Sequence, residues 1–258
     1  MTIESMIGAL FAGAAPSAPH AAAAAAGGDG KIEYRVNPTQ WAVFAAALAA
    51  PPRDASRLRV FMTSRGEDGA AEPLTSAADV RGFSCGVAVL DEALQREARK
   101  KSLPADDFAR RTFVLRRERR VVAYYTQRLG VIRRCAAETE ADAMTILQMQ
   151  RLAVDRAMQG RGLGTAMLRA AVSRALTIGG RCGARALCVH ALSPEVKRFY
   201  LERGLQPMPA IIDPLGVLLS FDNARKASAD KDVAECPADH ASALEEEADI
   251  WRSPDAVS

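Results

Sequence analysis

Gln159-Gly160-Arg161-Gly162-Leu163-Gly164 stands between an apolar, strand-like run (Leu147 to Val154) and a helical pattern. Three alternating glycines let the backbone pass close to a ligand and turn its N–H groups toward one point. The helix that begins there aims the positive end of its dipole at the same place. The stretch therefore reads as an anion cradle. It is not a Walker loop, because Gly164 is followed by Thr165-Ala166 where Lys-Ser/Thr is required. Nor is it a dinucleotide fingerprint, because Met167 stands where a third small residue belongs.

Working outward, Thr112 to Leu115 and Val121 to Val131 read as paired strands across a charged turn at 116–120, and residues 145–154 as the next strand. A helix over 162–178 follows, then a strand from Arg185 to His190. Ser193 and Pro194 open a further helix, which ends at Gly204. Val217 to Phe221 is the last strand. On the N-terminal side, Leu90, Leu94 and Ala98 repeat every four residues and predict an amphipathic helix over 87–102.

Composition narrows the function classes. The chain has 258 residues, 49% of them hydrophobic, enough for one good-sized core with appendages. The net charge of +3 hides an asymmetry. From Arg81 to Arg134 fourteen basic residues face six acidic ones, which suggests a polyanionic partner. From Arg225 onward four basic residues face nine acidic ones, with few large apolar side chains. Five scattered cysteines form no CxxC, so they read as free thiols of a reducing compartment, with no metal ligand set. No apolar run is long enough to span a membrane, and a cytoplasmic location is expected.

The cradle fits the Arg/Gln-x-x-Gly-x-Gly/Ala turn of the GNAT acetyltransferases, with Gln159, Gly162 and Gly164 at its defining positions. The flanks resemble one branch of that family, the toxins of type II toxin–antitoxin systems. The matching pieces are Phe83-x-Cys85-Gly86 with Leu90-Asp91, Arg151-Leu152-Ala153-Val154-Asp155, Val189-His190-Ala191, and Phe199-Tyr200 through Gly204. Val87, Ala93 and Leu205 depart from the branch, as does the run from Arg134 to Ala143.

The resemblance implies a GNAT fold, a mixed central sheet flanked by helices, in the α/β (α+β) class. It implies acetyl-CoA as co-substrate and acetylation of the α-amino group of aminoacyl-tRNA, which would block translation. The pyrophosphate would lie on Gln159, Gly160, Arg161, Gly162, Leu163, Gly164 and Thr165, and the pantetheine amides on the strand edge that ends Leu152, Ala153, Val154. Tyr200 matches the general acid, and no carboxylate stands out as a base. Arg96, Arg99, Lys100, Arg110 and Arg111 are candidates for the tRNA backbone. Two rival readings remain: an N-acetyltransferase for a protein or small-molecule amine, and a catalytically silent toxin relic that acts by binding.

Residues 31–62 are unlike their surroundings. Lys31 to Val36 alternates as a half-buried strand. Asn37-Pro38-Thr39-Gln40 reads as a capping box with proline at N1. Trp41, Phe44 and Leu48 then make one stripe, Pro51-Pro52 stops the helix, and Asp54 opens another carrying Leu58 and Phe61. This segment resembles the C-terminal neutralising tail of the ribbon–helix–helix antitoxins paired with such toxins. The division expected is a disordered alanine-rich leader at 1–30, the antitoxin-like segment at 31–62, and a linker at 63–80. The acetyltransferase domain would span 81–224, with a disordered acidic tail at 225–258. The partners expected are the tRNA, the chain's own segment or a separate antitoxin, and a second copy as a homodimer.

Overall fold

The computed structural model describes residues 24–26, 32–64, 71–75, 80–100, 110–135 and 143–234, with backbone alone for 24–26 and 230–234. Its spine is a long twisted hairpin. β4 (Arg110–Arg117) and β5 (Arg120–Arg134) are joined by a two-residue turn in which Glu118 and Arg119 both have positive φ, as a primed turn demands. β6 (Ala143–Val154) pairs antiparallel with β5, and β7 (Ala186–His190) then runs parallel to β6. β9 (Gly216–Ser220) and the short β8 (Gln206–Pro207) close that side of the sheet.

Strand register sorts the helices onto two faces, because residues directly opposite one another share a face. The even-numbered residues of β5 look to the front. There Tyr124 Oη donates to Leu90 O, 2.8 Å away, in α3 (Ala88–Ala98). Its odd-numbered residues look to the back, where Gln127 Nε2 donates to Ala171 O at 2.7 Å in α4 (Leu163–Cys182). α5 (Pro194–Leu201) and α6 (Phe221–Ala234) complete the back layer beside α4.

The N-terminal segment forms the expected elements and wraps this sheet. β2 (Ile32–Val36) adds parallel to the end of β5, from Gly130 to Arg134. The capping box forms, Gln40 N donating to Asn37 Oδ1 at 2.8 Å and Asn37 N to Gln40 Oε1 at 3.0 Å. α1 (Pro38–Ala49) then crosses the front, with Phe44, Leu48 and the half-buried Trp41 set on Ile132, Met144, Ala186, Cys188 and Leu218. At Pro51 the chain rounds the sheet edge, where Gln206 Nε2 donates to Pro51 O at 2.7 Å. α2 (Ala55–Thr63) packs on the back against α6, burying Leu58 and Phe61. Gly204, at φ 84°, permits this approach, since a Cβ there would stand 2.5 Å from the Leu58 Cα.

Three expected boundaries move. Ala24–Ala26 forms a strand, β1, on the free edge of β2, because backbone pairing needs no particular side chain; the rest of 1–30 lies outside the described residues. Within the expected linker, β3 (Glu72–Pro73) pairs with β4, and Arg116 pairs with Glu72. The tail expected from 225 begins later, because α6 runs to Ala234. Phe221 and Ala224 of α6 are buried, Asn223 Nδ2 donates to Ala50 O at 2.8 Å, and α2 supplies the surface it rests on. Residues 235–258 lie outside the described residues.

Candidate active site

β6 and β7 pair only over Leu147–Met149 and Leu187–Val189, and then diverge. At the point of divergence β6 carries a bulge: Thr126 faces Arg151 and Gln127 faces Met149, so Gln150 is the extra residue. A bulge bends and twists its strand. From Gln150 to Val154 the edge toward β7 has no strand partner among the described residues. Apart from the Val154 carbonyl, which accepts from Gln159 Nε2, the outward N–H and C=O groups of this edge are open to an extended amide chain.

Past the end of β6 lies the glycine turn. Gly160 and Gly162 both take positive φ, 77° and 78°, and Gly162 caps α4 without a side-chain bond. The first helical N–H groups there are left without intrahelical acceptors. Beside them opens a cleft of about 820 Å³, within the size range of ligand sites. Gly162, Leu163 and Thr165 form one wall, with the arginines Arg117, Arg120, Arg161 and Arg169 around it. Arg117 and Arg120 flank the hairpin turn, which the sequence shows only as a charged turn; the run of four arginines within 116–120 was its available signal.

Gln159 does not point at the cleft as a ligand would. Its Nε2 donates to Val154 O at 3.0 Å and Cys85 O at 3.1 Å. Cys85 belongs to the Phe-Ser-Cys-Gly stretch, which braces the turn from the front. Arg156 N donates to Ser84 O at 2.8 Å, while Ser84 N donates to the buried Asp155 carboxylate at 3.1 Å. Asp91 in turn accepts from Cys85 N at 2.9 Å and Ser84 Oγ at 3.1 Å. Burial pushes the Cys85 thiol up to about 12, so it is a packed thiol and not a nucleophile.

The donor set fits a pyrophosphate with an amide arm: free N–H groups at a helix start, four guanidinium groups, and an open strand edge. Gly162→Glu tests it. A Cβ on Gly162 meets no atom within 4 Å, so the substitution adds backbone strain without a clash and puts a carboxylate beside the free donors. Acetyl-CoA binding by calorimetry is expected to vanish while the circular dichroism spectrum is kept.

Tyr200 is fully buried on α5, edge-on to Phe199, and its Oη has no hydrogen-bond partner among the described residues. Burial pushes its pKa upward, so the phenol is protonated at any physiological pH. Arg203 ties α5 to the first turn of α4, Nε donating to Thr165 Oγ1 at 2.9 Å and Nη1 to Phe199 O at 2.6 Å.

The front face carries a second basic group. Arg110, Arg128 and Gln148 lie abreast, with Thr112, Thr126 and Arg151 in the next row. Arg110 pairs with Glu97 at 2.7 Å, and Lys100 reaches the same carboxylate at 3.0 Å. Burial, with Arg151, Arg128 and Arg96 nearby, lowers the Arg110 pKa against the opposing pull of Glu97. Of the sequence candidates, the exposed Arg96 and Arg99 with Lys100 flank this group at the end of α3, whereas Arg111, opposite Gln127, faces the back of the sheet because neighbouring strand residues alternate. Arg128 and Arg151 were missed, because only strand register brings them beside Arg110.

The acetyltransferase (GNAT) domain family matches residues 108–206. A tRNA-acetylating toxin of Mycobacterium tuberculosis is 34% identical over 157 residues, covering 59% of this chain and 92% of that one. Among solved structures, AtaTR bound with AcCoA superposes with a TM-score of 0.52 at 23% identity, covering 60% of this chain and 95% of that one. A mutant AtaT toxin bound to the C-terminus of the antitoxin AtaR and acetyl-CoA gives 0.51 at 25%, covering 62% and 98%. With the glycine cradle, the splayed strands and these likenesses in agreement, the chain belongs to the GNAT acetyltransferases, in the branch of the tRNA-acetylating toxins.

Proposed function

We propose that this chain transfers the acetyl group of acetyl-CoA to the α-amine of aminoacyl-tRNA in the cytoplasm, and that the segment at 31–62 restrains it in cis. The observation that carries the first half is the placement of two basic regions on either side of one gap. The cleft at the turn suits a pyrophosphate, and the Arg110–Arg128–Arg151 group suits a nucleic-acid backbone on the acceptor side. The relative from M. tuberculosis, named a tRNA-acetylating toxin, supports that substrate. Tyr200 donates a proton to the departing sulfur as the C–S bond breaks, a thiolate whose conjugate acid has an ordinary pKa near 8.5. When bound, acetyl-CoA supplies the activated acyl group; the residues hold, orient and move protons.

The restraint rests on where the segment lies. Tyr34 Oη donates to Gln148 Oε1 at 2.7 Å, in the same row as Arg128 on the acceptor side. At the other end, Arg169 of the cofactor cleft donates from Nε to Phe61 O at 3.1 Å and sits over the Phe61 ring. The segment thus touches both halves of the site. The AtaT structure bound to the C-terminus of an antitoxin is a precedent for such a complex in trans.

The acceptor half is tested by charge. Replacing Arg96, Arg99 and Lys100 together should weaken tRNA binding and flatten its salt dependence, since each phosphate contact releases counterions. An unchanged slope of log affinity against log salt would mean these side chains serve only to solvate α3.

A further inference from the structure

We propose that His190, aimed by Asp213, is the base that takes the proton from the acceptor nitrogen as the amide forms; this rests on the acetyltransferase reading above. His190 ends β7, one residue past the last pair with β6, so it stands where the two strands part. By alternation it shares the front face with Cys188, the side of α1 and the arginine row. Tyr200 approaches from the opposite side, on the helix locked to α4. The helix that carries the proposed acid and the strand end that carries the base thus lie on opposite faces of the sheet.

The pair is built rather than incidental. His190 Nδ1 lies 2.7 Å from Asp213 Oδ2. An ionised carboxylate only accepts, so Nδ1 carries the hydrogen and Nε2 keeps its lone pair. Asp213 is itself held: Oδ1 accepts from Leu215 N at 2.9 Å, and a Cβ on Gly216 would stand 2.8 Å from its carboxylate. The His190 side chain is 46% exposed, so Nε2 is within reach of an acceptor. The hydrogen bond His190 donates to Asp213 raises the imidazole pKa against the opposing effect of burial. The other titratable or charged groups on elements around the pair are Tyr34 on β2, Arg128 on β5, Cys188 on β7 and Lys197 on α5, whose Nζ is held by Pro214 O.

The protons balance. An α-amine near its pKa of about 8 is partly ammonium at neutral pH, and even the free amine must shed a proton once its lone pair forms the N–C bond. His190 Nε2 takes one proton from that nitrogen. The C–S bonding pair goes to sulfur, which takes the Tyr200 proton, and Tyr200 is reprotonated from solvent. One proton leaves His190 to water each turnover.

The test uses the full chain, and the same chain with Trp41→Ala and Phe44→Ala so that docking does not mask turnover. The pH profile of kcat/KM on charged tRNA is measured for wild type, His190→Gln and Asp213→Asn. Proton NMR follows the imidazole titration, the His190 signal being the one lost in His190→Gln. We expect kcat/KM to fall about a hundredfold near pH 6.5 in His190→Gln and less above pH 8, because the acid limb moves up toward the substrate amine's own pKa of about 8, with acetyl-CoA affinity kept. In Asp213→Asn the His190 midpoint should drop back toward about 6.5, and in wild type acetyl-CoA should displace the His190 signal. An acid limb unchanged in His190→Gln, or a His190 signal unmoved by saturating acetyl-CoA, overturns the proposal. A chain that binds acetyl-CoA but transfers nothing to charged tRNA in either background overturns the acetyltransferase reading instead, and the base assignment with it.

Discussion

Tyr200→Phe is expected to cut acetyl transfer by about two orders of magnitude or more while acetyl-CoA affinity stays within a few-fold. The ring and its edge-on packing with Phe199 are kept, so only the proton donor is lost. Stability gives the complementary signature. The Tyr200 hydroxyl is buried without a partner, and an unsatisfied buried polar group costs about 1–3 kcal/mol. The phenylalanine variant should therefore melt at the same temperature or higher. A side chain whose removal stabilises the fold and disables the reaction is held there for chemistry. Unchanged turnover would mean that the proton comes from elsewhere.

The second large effect concerns the N-terminal segment. Trp41→Ala with Phe44→Ala strips the stripe that α1 lays on the front of the sheet, and the initial rate of acetyl transfer should rise at least about tenfold. Truncating a fully buried phenylalanine typically costs about 3–5 kcal/mol, and Trp41, half-buried, adds less. Each 1.36 kcal/mol is about a factor of ten in the docked-to-free ratio. Against this, the segment is covalently joined to the domain, which raises its effective concentration at the docking face, so one lost side chain is insufficient for full release. Equal rates in wild type and variant would make β2, α1 and α2 a structural extension, a role that the burial of Leu58 and Phe61 in the main core would explain.

The fold was readable where the chemistry is local. The glycine turn, the hairpin strands and the Asn37 capping box each announce themselves within a few residues, and all form. The edge of β6 was also foreseeable, though the bulge at Gln150 that frees it was not, because a bulge is a property of two strands in register. Contacts between distant stretches stayed hidden for the same reason. Nothing in Ser84-Cys85 states that it braces Arg156 and Gln159, and nothing in Arg128 or Arg151 places them beside Arg110. α6 was missed because its own residues are mostly polar and small; it is helical against α2, a surface far earlier in the chain. Gln159 was read as part of the anion cradle, yet its amide donates to the carbonyls of Val154, at the end of β6, and Cys85, in the bracing stretch.

The most direct test supplies labelled acetyl-CoA to the chain carrying Trp41→Ala and Phe44→Ala, with bulk aminoacyl-tRNA in one arm and the same tRNA deacylated in the other. Label is expected on the aminoacyl group of charged tRNA, released with it by mild base, and absent from the deacylated arm. Label confined to protein or small amines, or no label while acetyl-CoA binds, would contradict the account.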